Sequence, residues 1–325
     1  MKMEAGRYRK PDIKQWHGVD ENINSRWHQR IKILDLSEPV SESVKQSFVL
    51  VGFACDEGVS RNQGRPGAVG GPAAFRTAVG NLPAHGDYDL FDAGDILCLD
   101  ADLESAQEAL ATSVSFLLNK GYHPFLVGGG HEIAFAHFKG IKQHLTRTNH
   151  RAKVGVINFD SHLDIRATEE GKGTSGTSFY QIKEWCDKRN EFYSYLPIGI
   201  QKSANTKQLF ERARSWNIPY ILASDLALEN THVEVRKFMD KVEHIYLTIC
   251  LDVFAAGLVS GVSAPTPLGI LPQGIFLMML NDIVSSGKLI SWDIAELNPQ
   301  FDFQGQTAKL AGILCAEILE KITPS

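Results

Sequence analysis

Short apolar runs alternate along the chain with longer stretches whose apolar residues return at helical spacing. The runs at 47–54, 88–91, 124–127, 153–159, 195–200, 218–222, 244–251 and 288–294 predict strands. In 101–119, Leu103, Ala106, Leu110 and Val114 fall on one helical face, and 305–322 closes the chain with another helical pattern. Strands and helices in alternation predict a parallel sheet flanked by helices. The expected fold is therefore one α/β domain over 47–325. Its central, mostly parallel sheet would have eight strands, with helices on both faces as outer layers. Residues 1–46 are expected to pack on that domain as an N-terminal extension, around Trp16 and Trp27.

Two Gly- and Pro-rich stretches, 58–72 and 257–274, are long for connecting loops, and each follows a predicted strand. Ligands of open parallel sheets bind beyond the C-terminal strand ends, so both stretches belong to the expected functional edge. Composition narrows the function. With 325 residues, 43% of them hydrophobic, the chain can bury a large core. A formal charge of -5, with Lys and Arg scattered among acids, provides no basic surface for nucleic acid and favours small-molecule chemistry. The polar N-terminus lacks the apolar core of a secretory signal and no run is long enough to span a membrane, so a cytoplasmic location is expected. Five widely spaced cysteines, with no CxxC pair, predict reduced thiols.

The chemistry is concentrated in GGGHE, which contains His131, and in DSHLD, which contains Asp160, His162 and Asp164. Alternate positions continuing the strand at 153–159 would point all three DSHLD groups to one face. Without a cation, Asp160 would serve as a cap, His162 as an interior histidine and Asp164 as a solvated acid. Burying the three together unpaired would cost several kcal/mol each, so a metal site is the better expectation. Carboxylates and imidazoles without a thiolate cluster suit Mn2+ rather than structural Zn2+. Asp252 follows another strand in LTICLDVF, and Asp293 and Glu296 end the last in SWDIAELNPQ. His17, His28, His85, His137 and His232 stand in no motif and read as ordinary surface or core histidines.

Taken in order, GGGH, DSHLD, the Cys250–Asp252 segment and ELNP resemble the motifs of the arginase and ureohydrolase family across essentially the whole chain after residue 47. The resemblance implies an arginase-like three-layer fold and hydrolysis of a linear amidine C–N bond by manganese-activated hydroxide. DEGVSRNQGRPGAVGGPAAFR (56–76), DIR (164–166), SGTSF (175–179) and GVSAP (261–265) resemble the branch whose substrate is an amidine bearing two carboxylates. Carried over by position, the metal ligands fall on His131, Asp160, His162, Asp164 and Asp252. Glu296 takes the place of the acid that holds the amidine, and Asp164 would move protons.

Two positions depart from the family pattern. Cys250 stands where an aspartate would bridge two ions, so it is either a thiolate ligand at a weaker second site or a small buried residue. Phe179 stands near a proton-shuttling histidine and would instead shape the pocket wall. Cys55 and Cys250 each end a predicted strand and so belong to the same expected edge, where oxidation linking the two thiols would remove any thiolate ligand and switch the chain off. Carboxylates on the substrate call for cationic or amide donors, and the candidates are Arg61, Asn62, Arg166 and Asn205. The alternatives are an agmatinase or another guanidino hydrolase of the same family, and a metal-deficient binding protein without catalysis. A homo-oligomer is compatible with all of them.

Overall fold

A computed structural model describes residues 6–19, 24–147, 151–226 and 231–323. Among them ten strands form a single sheet. In chain order they are β1 (Tyr8–Arg9), β2 (Ile31–Ile33), β3 (Ser47–Ala54), β4 (Asp89–Leu97), β5 (His123–Gly128), β6 (Val154–Phe159), β7 (Tyr195–Ile200), β8 (Ile221–Leu222), β9 (His244–Cys250) and β10 (Leu289–Ala295). They lie in the order β1-β4-β3-β5-β10-β9-β6-β7-β8, with β2 also against β4. Every pairing is parallel except that of β1 with β4.

The eight expected strands all form, and the N-terminal segment adds two short ones at the β4 edge, so the sheet has ten strands rather than eight. Three stretches differ from expectation. The strand expected at 88–91 runs on to Leu97, because Asp92 and Asp95 are buried against Arg76 rather than turned to water. The strand expected at 218–222 shrinks to Ile221–Leu222 at the opposite edge. The stretch 58–72 is not a plain loop: a one-turn helix, Glu57–Arg61, opens it, and a longer helix, Gly71–Val79, begins before it ends.

Two apolar layers explain why β3 is buried along its whole length. Phe48 and Leu50 face a core closed by the helices Gly71–Val79, Ile275–Ser285 and Gln306–Ile322. Val49, Val51 and Phe53 face the other, closed by Leu103–Asn119, Ile133–Leu145 and Ser178–Arg189. Because β3, β5, β6, β9 and β10 are mutually parallel neighbours, the segments that follow them emerge at one edge. Among the described residues, no helix is long and apolar enough to cross a membrane.

Candidate metal centre

The segment after β5 is drawn in against the one after β3. Gly129 N donates to Phe53 O at 2.8 Å and Gly130 N to Cys55 O at 3.0 Å. A Cβ on Gly129 would lie 1.5 Å from Cys55 O, so only glycine permits this approach. The chain then delivers His131 just ahead of the helix Ile133–Leu145, with its Nδ1 2.9 Å from Asp160 Oδ2 and 3.0 Å from Asp164 Oδ2.

DSHLD converges, but not by strand alternation. β6 ends at Phe159, and Asp160 Oδ1 accepts from His162 N at 2.7 Å, which turns the chain immediately. Asp164 adopts φ 46°, a left-handed conformation that extended backbone would not give. His162 Nδ1 thereby comes 3.4 Å from Asp160 Oδ1 and 3.2 Å from Asp252 Oδ2. Asp252 sits in the turn Leu251–Val253 directly after β9, where its carbonyl accepts from Ser161 Oγ at 2.9 Å. Glu296, with φ 68°, follows β10, and its Oε1 accepts from His131 N at 2.9 Å.

Among the described residues potential ligand atoms form two sets, His131 with Asp160 and Cys250, and Asp160 with His162 and Asp252, each within 4.8 Å. Asp160 belongs to both. Burial opposes its charge, yet hydrogen bonds from His131 and His162 hold its carboxyl well below the usual range. Both imidazoles are pushed well above theirs despite burial, His131 by Asp160 and Asp164, and His162 by Asp252 and Asp160. The other acids go the opposite way. Burial and the Asp160 charge raise Asp164 to about 6, and burial with the Asp252 charge raises Glu296 to about 7. Burial and the surrounding carboxylates hold the Cys250 thiol protonated well beyond its ordinary range. Asp252 Oδ1 and Glu296 Oε2 are buried with no hydrogen-bond partner. Orphaned carboxylate oxygens and acids forced toward neutrality are features that suit a cation.

A cavity of about 340 Å³ opens over this cluster. Of the residues expected to meet substrate, Asn62, Arg166 and Asn205 line it and Arg61 does not. The Arg61 guanidinium is bound by Glu57 at 2.9 Å, by Glu104 at 2.7 Å and by the carbonyls of Gly173 and Ala101. Arg166 Nη1 donates to Asn62 Oδ1 at 2.9 Å, and Asn62 Nδ2 to Ser175 Oγ at 3.1 Å. The Asn205 amide is committed to backbone, accepting from Leu163 N and donating to the Ser161 and Gln201 carbonyls. Arg65 lines the cavity unforeseen, its guanidinium 3.9 Å from the Phe301 ring centroid and bonded to Val262 O. Its one sequence signal was membership of the same Gly-rich stretch as Arg61. Phe179 is not wall: fully buried, it meets the His131 ring edge-on at 5.5 Å and stacks on Tyr195 at 4.1 Å. All five cysteines are free thiols, and Cys55 lies beside Cys98 and 3.5 Å from Glu132 Oε1.

A parallel α/β sheet carrying clustered carboxylates and imidazoles below a polar cavity defines the class to which ion-dependent hydrolases of this architecture belong. The chain is a member of the arginase family, whose model matches residues 46–320. A formimidoylglutamase of Ralstonia nicotianae is 41% identical over 317 residues, covering 95% of each chain. The crystal structure of formimidoylglutamase from Bacillus subtilis superposes with a TM-score of 0.80 at 21% identity, over 95% of this chain and 96% of that one. A Trypanosoma cruzi formiminoglutamase with Mn2+ superposes with a TM-score of 0.72 at 25% identity, over 85% of this chain and 93% of that one.

Proposed function

We propose that the chain is a manganese-dependent hydrolase that converts N-formimidoyl-L-glutamate and water to L-glutamate and formamide in histidine breakdown. The observation that carries the reading is the pairing of the under-neutralised acid cluster with a cavity lined by two guanidinium groups, Arg65 and Arg166. A substrate with an amidine at one end and two carboxylates at the other matches both.

The residues present fit a divalent ion, as the partnerless buried Asp252 Oδ1 illustrates. His131, Asp160, His162, Asp164, Cys250 and Asp252 would hold it, and the sharing of Asp160 between the two ligand sets supports two ions. Bound there, manganese supplies Lewis acidity that makes water a nucleophile at neutral pH. Glu296, buried and with one free oxygen, pairs with the cationic amidine and orients its carbon toward the cluster. Asp164 faces both the cluster and the cavity, so its carboxyl takes the proton lost by attacking water and returns it to the glutamate nitrogen as the C–N bond breaks. At the far end Arg166, steadied by Asn62, and Arg65 receive the carboxylates. Arg65 replaces Arg61 in this role because it lines the cavity, its Nε and Nη2 held by the Ser263, Ser260 and Val262 carbonyls, whereas Arg61 is bound outside the cavity by Glu57 and Glu104. The described residues before 47 belong to the same unit in this proposal, since Trp16 Nε1 donates to Asp92 inside the domain at 2.8 Å.

Purified protein loaded with Mn2+ and offered N-formimidoyl-L-glutamate is expected to release formamide, and chelation is expected to abolish release. Urea from agmatine, with no formamide from the dicarboxylate, would replace this substrate by a cationic one. Inert, manganese-free protein under reducing, metal-replete conditions would leave a binding role.

A further inference from the structure

His131 has a second set of neighbours on the side away from the cavity. Its Nε2 lies 3.0 Å from Thr248 Oγ1, and that hydroxyl donates to Asp293 Oδ1 at 2.6 Å. Asp293 Oδ2 receives the Tyr246 hydroxyl and meets His137 Nδ1 at 2.6 Å. His137 Nε2 faces Ser291 Oγ at 2.6 Å, and Ser291 donates onward to the Pro124 carbonyl at 2.6 Å. Thr248, Asp293, His137 and Ser291 are all completely buried, and none lines the cavity. His137 is thus a core histidine with both ring nitrogens partnered.

The proton inventory gives this chain a direction. A hydroxyl carries one hydrogen. Thr248 gives its hydrogen to a carboxylate, so toward His131 it can only accept, and His131 Nε2 must be the donor. Ser291 likewise gives its hydrogen to a carbonyl and accepts from His137 Nε2, so the 2.6 Å contact between His137 Nδ1 and Asp293 Oδ2 holds a further hydrogen that the imidazole and the carboxyl share. A core that needed only filling would use apolar side chains, because a partly satisfied buried polar network is worse than none.

We propose that Thr248, Asp293 and His137 form a positioning relay that fixes the proton on His131 Nε2 and so presents Nδ1 as the metal-ligating atom. This rests on reading His131 as a ligand. His137 orients Asp293, Asp293 orients the Thr248 hydroxyl, and Thr248 holds the imidazole in the one tautomer whose Nδ1 can take a cation beside Asp160 and Asp164. Such outer partners typically contribute about 10- to 100-fold to metal affinity.

Thr248→Val removes the acceptor, and Thr248→Ser keeps it. Calorimetric titration of metal-free full-length protein with Mn2+ should show T248V binding at least about tenfold more weakly than wild type. T248S should stay near wild type, and both variants should keep the wild-type circular dichroism. Equal Mn2+ affinity of wild type and T248V, or failure of T248S to restore affinity, overturns the relay. Wild-type protein that takes up no Mn2+ overturns the metal reading itself, and the relay's purpose with it.

Discussion

Two groups of acids are buried in one sheet and end in opposite ways. On β4, Asp92 and Asp95 are closed by Arg76, whose guanidinium reaches both Asp92 oxygens at 2.8 Å and Asp95 Oδ1 at 2.7 Å. Trp16 Nε1 and Gly94 N complete Asp92, and Arg9 completes Asp95 at 2.6 Å. At the strand ends, Asp160, Asp164, Asp252 and Glu296 have two imidazoles and no guanidinium, and two of their oxygens have no partner. A permanent cation with five donors makes the first cluster a clamp joining the helix Gly71–Val79 and the N-terminal segment to the sheet. Lack of one makes the second a socket. Burial is alike in both, so the missing positive charge, rather than the presence of buried acids, marks function.

Breaking the socket should show the largest effect. Asp252→Asn keeps the shape and removes one charge from the ligand sets, so formamide release is expected to fall by about a thousandfold or more, in line with the several kcal/mol assigned to metal-ion catalysis. Mn2+ content measured on the same sample should fall with it. A fully active D252N would remove Asp252 from the site.

Breaking the clamp should affect folding instead. Arg76→Met leaves Asp92 and Asp95 buried without their shared cation, a loss of about 3–5 kcal/mol in unfolding free energy. Denaturant melts would read it. Whatever folded R76M remains is expected to retain wild-type Mn2+ affinity, because the two clusters share no residue. If R76M lost metal binding at unchanged stability, the distinction between clamp and socket would fail.

Sequence pattern alone carried much of this contrast, though unevenly. The central strands β3, β6 and β9 were legible because both of their faces are buried, leaving nearly continuous apolar runs. His131, Asp160, His162, Asp164, Asp252 and Glu296 were legible because each directly follows such a run. Arg61 and Arg65 were not separable, since both lie in one polar stretch and only the pairing of Glu57 and Glu104 with Arg61 decides between them. The two β-edge additions were hidden because Tyr8–Arg9 and Ile31–Ile33 are too short to carry a period. His137 was hidden because its partners come from strands more than a hundred residues away.

The substrate end of the socket gives the next effect in size. Arg166→Ala removes a charge-assisted contact, so KM for N-formimidoyl-L-glutamate is expected to rise about 10- to 100-fold with little change in kcat. Equal effects on kcat and KM would count against a binding role. Arg65→Ala should act in the same direction. Arg61→Ala should leave KM near wild type, and because its ion pairs are partly exposed it should shift stability by no more than about 1 kcal/mol.

The smallest expected effect concerns an acid at the margin of the socket. Glu132 is fully buried, its Oε1 accepts from Gly58 N at 2.9 Å and its Oε2 has no partner. Burial, then the nearby Glu296 charge, raises its carboxyl from 4.5 to about 8. The folded chain therefore holds a proton that the unfolded chain has released anywhere between those two values. Stability from this group is fully present below pH 4.5 and is lost as pH rises toward about 8. In metal-free protein the melting temperature should accordingly fall across that window. Glu132→Gln keeps the acceptor for Gly58 N and cannot ionise, so its melting profile should decline less steeply by about one proton's worth. An unchanged slope in E132Q would show that Glu132 is already ionised in the folded chain, and would place another cation beside it.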